Sequence, residues 1–270
     1  MRRLLLAAGL VALATAARAG GRVETAQFDV PFDGRPRAIQ VRTPAASADS
    51  ANLLVVFDGP QYLVEIPLPA MLDSLESLGR IPPTVAVLID NGTGTVRIAD
   101  LGNRRAFADW VCDRLVPWVR VRYRVSSDPH RVTAYGSSAG GLAAAFIAFE
   151  RPDVVGNALS QSGAFWRNAE AKGSPPWEWL TGAIAAAPRK DVRFVIDVGE
   201  KETNGVLGGT GPSILAANRR LRDALKAKGY SLAYIEWPGG THSPESWRAR
   251  LPRALLAVTP LLRRNAAAAH

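Results

Sequence analysis

The stretch RVTAYGSSAGG, residues 131–141, decides how this chain is expected to fold. Arg131 to Tyr135 reads as a short strand, and Gly141 to Phe149 as an apolar helix closed by Arg151-Pro152. Between them Gly136-Ser137-Ser138-Ala139-Gly140 matches the pattern G-x-S-x-G. A serine held on a sharp turn from a strand into a helix has its Oγ exposed at the helix N-terminus, and the flanking glycines let the backbone pass close by. On this register Ser138 is the candidate nucleophile and Ser137 is its neighbour. The alternative is a Gly/Ser loop without chemistry, which the strand and helix on either side argue against.

Working outward, Leu53 to Phe57 and Val85 to Ile89 are continuous apolar runs. They end in Asp58-Gly59 and Asp90-Asn91-Gly92, as strands buried on both faces would. Asn157 to Ser160, Arg193 to Val198 and Ser231 to Trp237 supply further strands, and residues 22 to 42 supply two more around a turn at Asp33-Gly34. Phe107, Trp110, Val111, Leu115, Trp118 and Val119 share one face of a helix over 105–120. Ile214 to Lys228 is a helix stopped by Gly229, and Glu245 to Leu262 is a last helix in which Pro252 predicts a kink or break. Strands alternating with helices predict an α/β fold: a mostly parallel central sheet with helices on both faces. In such sheets the site lies beyond the carboxyl ends of the strands.

A nucleophilic serine needs a base. Of the three histidines, His270 is the last residue, and His130 precedes the strand that carries Ser138, at the wrong end of the sheet. His242 follows the last strand in WPGGTHSP, residues 237–244, at the correct end. The chain order serine, acid, histidine is that of α/β-hydrolases. The acid should follow the strand Arg193 to Val198, which runs into Gly199-Glu200-Lys201-Glu202. Glu202 is preferred to Glu200, Asp197 is a third candidate, and a Ser–His dyad without an acid is the remaining option. An oxyanion hole needs two donors. Ala139 N–H is one, and the segment Asp58-Gly59-Pro60-Gln61-Tyr62 is the source of the other.

Composition agrees with a globular protein: 47% hydrophobic and 21% charged residues in 270. There is no repeat, and no dense Lys/Arg run or motif that would point to nucleic acid. The first 19 residues have the layout of a secretory signal peptide, with Met1-Arg2-Arg3, an apolar run from Leu4 to Ala17, and Ala17-Arg18-Ala19 as a cleavage pattern. The apolar run is short for a membrane span, although an uncleaved anchor is the alternative. Residues 20–270 are then expected to be one domain, periplasmic or secreted, without stable membrane insertion. Loss of Arg2, Arg3 and Arg18 lowers the formal charge from +9 to +6. Cys112 is the sole cysteine, so no internal disulfide is possible, and its place on an apolar helix face predicts buried packing.

Taken together the segments VFDG (56–59), RIADL (97–101), GSSAGG (136–141), RPDVVGNALSQSGAFW (151–166), the G-x-x-E at 199–202 and GGTHSPESWR (239–248) resemble the enterochelin-esterase-like "putative esterase" family of α/β-hydrolases. That family also includes S-formylglutathione hydrolases, feruloyl and acetylxylan esterases and mycolyltransferases. The resemblance covers about Leu53 to Leu256, and the SQSGAFW run and the H-x-x-x-x-W-R ending look most like the siderophore esterases. It implies Ser138 as nucleophile, His242 as base and Glu202 as acid, and it implies that Arg97 contacts an anionic substrate group; a structural ion pair is the equal alternative. Pro60 departs from the family, because it stands where an oxyanion N–H is often found and has none. Gln61, by backbone or side chain, is the substitute. The short stretch ahead of the first core strand looks like the single-domain, exported relatives.

The reaction this implies is acyl transfer through a serine ester on a small-molecule substrate, with no cofactor or metal and possible siderophore specificity. An acyltransferase or a carbohydrate (feruloyl or acetyl) esterase is the alternative, and a non-catalytic binding protein fits least. Trp177, in the SPPWEW segment, and the glycine-rich stretch Gly205 to Gly211 are expected to border the pocket. Trp177 could stack on a catechol or sugar ring or serve as loop packing.

Overall fold

The computed structural model describes residues 20–46, 50–168, 177–206 and 208–267, with the backbone alone for 259–267. The segment read as a signal peptide and His270 lie outside these residues. Eight strands form one sheet: β1 (Arg22–Ala26), β2 (Ile39–Thr43), β3 (Asn52–Phe57), β4 (Thr84–Ile89), β5 (Val132–Ser137), β6 (Asn157–Gln161), β7 (Arg193–Gly199) and β8 (Ser231–Trp237). Their spatial order is β1-β2-β4-β3-β5-β6-β7-β8. β1 pairs antiparallel with β2, β2 pairs antiparallel with β4, and all remaining pairs are parallel. This is the α/β sheet that the alternation of strands and helices predicts.

Alternate residues of the central strands feed two cores, as the pleat requires. Leu53, Val55 and Phe57 of β3 and Val85, Val87 and Ile89 of β4 face one side. Leu54, Val56, Ala86 and Leu88 face the other. Both sides are covered, so these strands read as unbroken apolar runs. The first core is covered by α3 (Gly94–Leu101), α4 (Arg105–Trp110), α5 (Val116–Tyr123), α6 (Ala139–Glu150), α7 (Trp179–Ala186) and α8 (Ile214–Ala227). The second lies under α2 (Leu68–Ser77) and α9 (Pro244–Ala267), with Tyr62 from the one-turn α1 (Gln61–Val64).

Two features depart from the pattern read in the sequence. The helix over 105–120 exists, but Val111–Leu115 between α4 and α5 is a π-helical turn. The last helix neither breaks nor stops at Pro252; α9 runs unbroken from Pro244 to Ala267. An interior proline costs about 3 kcal/mol of helix. Against that, Trp247, Leu251, Ala254, Leu255 and Val258 form one buried stripe across Pro252. Each large apolar side chain in such a stripe contributes about 1.5–3 kcal/mol, so burial outweighs the lost hydrogen bond. Cys112 is buried in the first core, and burial pushes its thiol up to about 12. Among the described residues no helix is long and apolar enough to cross a membrane.

Candidate active site

The carboxyl end of β5 turns into α6 through Ser138, whose φ of 55° and ψ of −119° put a non-glycine residue in a left-handed conformation. Such a conformation is strained and survives only where its surroundings enforce it. Here the Ser138 N–H donates to Gln161 O at 2.9 Å, and its carbonyl accepts from Ala164 N at 2.9 Å and Leu142 N at 3.1 Å. The turn also needs bare backbone at Gly136, where a Cβ would stand 2.6 Å from the carbonyl carbon of Gly140. Eleven of the twelve residues of α6 are buried, which anchors the far side of the turn.

Ser138 Oγ lies 2.9 Å from His242 Nε2. His242 Nδ1 lies 2.6 Å from Glu202 Oε2. A carboxylate only accepts, so Nδ1 donates to Glu202 and leaves Nε2 to accept the serine hydroxyl. The His242 side chain is 36% exposed and that of Glu202 is 1% exposed. Burial alone would raise the Glu202 carboxyl, but hydrogen bonds from His242, Ser162 and the Gly199 N–H outweigh it and hold the group below the usual carboxylate range. The loops bearing Glu202 and His242 pack at Gly199, where a Cβ would run into the Gly240 carbonyl. Lys201 N–H donates to that same carbonyl at 3.0 Å.

Of the other acid candidates, Glu200 is exposed on the same loop. Asp197 is buried below the site, where its Oδ2 accepts from Gln161 Nε2 at 3.0 Å. Its carboxyl is pushed up to about 6 by burial, against the opposing pull of Arg250 and Gln161. His130 sits at the amino end of β5, 2.9 Å from Asp191.

The structure narrows the oxyanion candidates. Ala139 N–H opens α6, where the first turn has no intrahelical acceptors. The Gln61 N–H is already used: it donates to Asp58 O at 3.0 Å in the turn that starts α1. Asp58 N–H donates to Asn91 Oδ1, Gly59 N–H to Ile89 O, and Tyr62 N–H to Gly59 O. The backbone route through Gln61 is therefore closed, and its half-buried side-chain amide is what remains of that expectation.

Arg97 forms a two-pronged ion pair with Asp58 through Nε at 2.7 Å and Nη2 at 2.8 Å. Burial works against its charge, and the Asp58 carboxylate more than offsets this. Asp58 itself has a φ of 58° and packs beside Gly140 of the elbow. The pair leaves Arg97 Nη1 uncommitted to Asp58. Trp177 is partly buried on the first core, edge-on to Trp166 with ring centroids 5.9 Å apart. Among the described residues no cluster of His, Cys, Asp or Glu is arranged to hold a metal ion.

The residues that sequence reasoning did not assign are Ser162, Trp247 and Arg250, which gather behind Glu202. Ser162 lies in the SQSG segment and Trp247 in HSPESWR, whereas Arg250 stands two residues beyond the latter and carries no such signal.

Comparison with known proteins places this geometry in a family. The family described as Putative esterase matches residues 33–258, and the chain belongs to it. The iron(III) enterobactin esterase of Dickeya dadantii is 30% identical over 229 residues, 80% of this chain and 50% of that protein. The chain thus spans about half the length of the curated relatives it matches. A crystal structure of the enterobactin esterase from Shigella flexneri in the presence of enterobactin superposes with a TM-score of 0.75 at 25% identity, covering 90% of this chain and 60% of that one. A ferulic acid esterase structure shares the fold, with a TM-score of 0.73 at 16% identity over 90% of this chain and 99% of its own.

Proposed function

We propose that this member of the family is an exported serine esterase that cleaves carboxylic esters through an acyl-enzyme on Ser138. The observation that carries this reading is the continuous hydrogen-bonded chain from Ser138 through His242 to Glu202 at the carboxyl ends of β5, β8 and β7. Three strands deliver a nucleophile, a base and an acid in working contact, a geometry that generalises across unrelated folds.

In the first half-reaction His242 Nε2 takes the Ser138 proton as Oγ attacks the ester carbonyl. The buried Glu202 stabilises the imidazolium. Ala139 N–H and the Gln61 side-chain amide receive the oxyanion. His242 then gives its proton to the leaving alkoxide. In the second half-reaction it activates water against the acyl-serine. The partial exposure of His242 lets water reach it for this step. Arg97, whose Nη1 lies outside its pair with Asp58, is assigned to an anionic group of the substrate, and Trp177 to the pocket rim. The likeness to enterobactin esterases makes catecholate serine esters the first substrate class to test, with feruloyl and acetyl sugars next.

The deciding experiment is hydrolysis of short p-nitrophenyl esters by the mature protein and by Ser138→Ala, with fluorophosphonate labelling alongside. Turnover and labelling that both vanish in the variant support the esterase. A wild type that neither turns over nor labels rejects it in favour of a binding protein. Cell fractionation with N-terminal sequencing tests export, for which a mature protein beginning near Gly20 is expected.

A further inference from the structure

Ser162 follows β6, fully buried, with a φ of 49°. Its N–H donates to Asp197 O at 2.7 Å, which fixes this left-handed turn to the next strand. Three groups surround its Oγ. Trp247 Nε1 stands at 3.0 Å, Arg250 Nη2 at 2.9 Å and Glu202 Oε1 at 2.6 Å.

The direction of each bond follows from chemistry. An indole N–H and a guanidinium only donate, so Trp247 and Arg250 occupy the two lone pairs of the hydroxyl. The one remaining direction carries its hydrogen, and that direction is Glu202 Oε1. A serine rotor is normally free to turn; this one is set by its two donors.

Glu202 Oε1 receives a second hydrogen bond from Gly199 N–H at 2.8 Å. Its Oε2 is thereby left to His242. The titratable and charged groups packed around the carboxylate are His242, Asp197 and Arg250. The guanidinium is fully buried, with Nη1 3.4 Å from Asp197 and Nη2 3.8 Å from Glu202. Its Nε is tied to Ser246 O at 3.2 Å. The Ser162 hydroxyl bonds both to this cation and to Glu202. Trp247 also sets its ring edge against His242, with centroids 5.0 Å apart at 84°.

We propose that Ser162 is a positioning residue for the acid: Trp247 and Arg250 direct its hydroxyl proton onto Glu202 Oε1, so that Oε2 stays aligned with His242 Nδ1. The proposal rests on the Ser138–His242–Glu202 reading above. Removing the hydroxyl opens a direct route for Arg250 to draw Glu202 away from the histidine.

The test combines kinetics with a spectroscopic readout. In Ser162→Ala, kcat on a p-nitrophenyl ester is expected to fall about tenfold to a hundredfold, as misplaced catalytic groups do, with KM little changed. The downfield proton resonance of His242 Nδ1, identified by its loss in His242→Ala, should move upfield. In a Glu202→Gln background the same substitution should have almost no further effect on kcat, whereas damage unrelated to the acid would add. A folded Ser162→Ala with wild-type kcat and an unmoved resonance overturns the proposal, as does full additivity with Glu202→Gln.

Should Ser162→Ala fail to fold, Trp247→Phe removes one donor and keeps most of the ring volume. A displaced resonance in that variant supports the proposal and an unmoved one rejects it. The resonance needs no turnover, so a wild type inactive on every ester would reject the esterase reading while the resonance still decides this one.

Discussion

Among the described residues two histidine–carboxylate pairs stand at opposite ends of one sheet, and they differ in almost everything but their chemistry. At the amino end His130 meets Asp191 at 2.9 Å, and the Asp191 side chain is 77% exposed. At the carboxyl end His242 meets Glu202 at 2.6 Å, and that carboxylate is all but sealed from water. The exposed pair is solvated and screened, and pairs of that kind contribute little. The buried carboxylate is held ionised by three donors and has one orientation.

The backbone shows the same contrast. Beyond the carboxyl ends of β3, β5 and β6 stand Asp58, Ser138 and Ser162, all with positive φ. The amino ends of these strands are tied by ordinary side-chain bonds, Arg131 to Asn52 and Asn157 to the His130 carbonyl. On these three strands the left-handed residues stand at the end where chemistry is proposed. A histidine beside a carboxylate is therefore no site in itself; burial and a full set of donors distinguish the two.

The largest effect that could break this comparison is at the carboxyl end. Ser138→Ala and His242→Ala should each lower kcat on a p-nitrophenyl ester by about four to six orders of magnitude, and the double variant should be little worse than either. Steady-state and single-turnover assays would show this, and residual activity within a hundredfold of wild type would remove Ser138 from the reaction.

Next in size, Glu202→Gln should cost about 10³–10⁴ in kcat by supplying the wrong hydrogen-bonding partner to Nδ1, whereas Asp191→Asn should leave kcat unchanged. Equal losses in the two variants would erase the distinction between the pairs.

The third prediction concerns pH, and here the buried carboxylates Glu202 and Asp197 run in opposite directions. Glu202 has a depressed folded-state pKa, so its contribution to stability is present above the unfolded value, about 4.3, and is lost as pH falls through the lower folded value. Asp197 is raised to about 6, so it contributes relative stability at low pH that is lost as pH rises from about 4 toward 6. Urea denaturation of wild type, Glu202→Gln and Asp197→Asn between pH 3 and 8 should show differences with opposite slopes; parallel curves would contradict the assignment.

The smallest expected effect sharpens the comparison from the other end. His130→Ala should change stability by about 1 kcal/mol or less, with a salt-sensitive part, because its partner is solvated. A loss of several kcal/mol in the same denaturation experiment would mean that the amino-end pair is structural in a way its exposure does not suggest.

The sequence alone determined what depends on local period and on local turn chemistry. Continuous apolar runs identify strands buried on both sides, and G-x-S-x-G between a strand and a helix singles out Ser138 as the candidate nucleophile. Elimination among three histidines singles out His242 as the candidate base. Each of these signals lies within a few residues of chain. Tertiary structure decided what depends on groups from different strands meeting. Glu202 turns inward onto donors from Ser162, Gly199 N–H and His242, while Glu200, two residues earlier, stays in solvent. The Gln61 N–H closes a turn onto Asp58, which no composition rule could tell. Pro252 remains inside a helix because a buried stripe on both sides of it outweighs the missing hydrogen bond. Trp247 and Arg250 of α9 meet the hydroxyl of Ser162, about 85 residues earlier in sequence, and that hydroxyl bonds Glu202. Their directionality comes from the low-dielectric interior, where every donor must find an acceptor and only the assembled fold fixes which one.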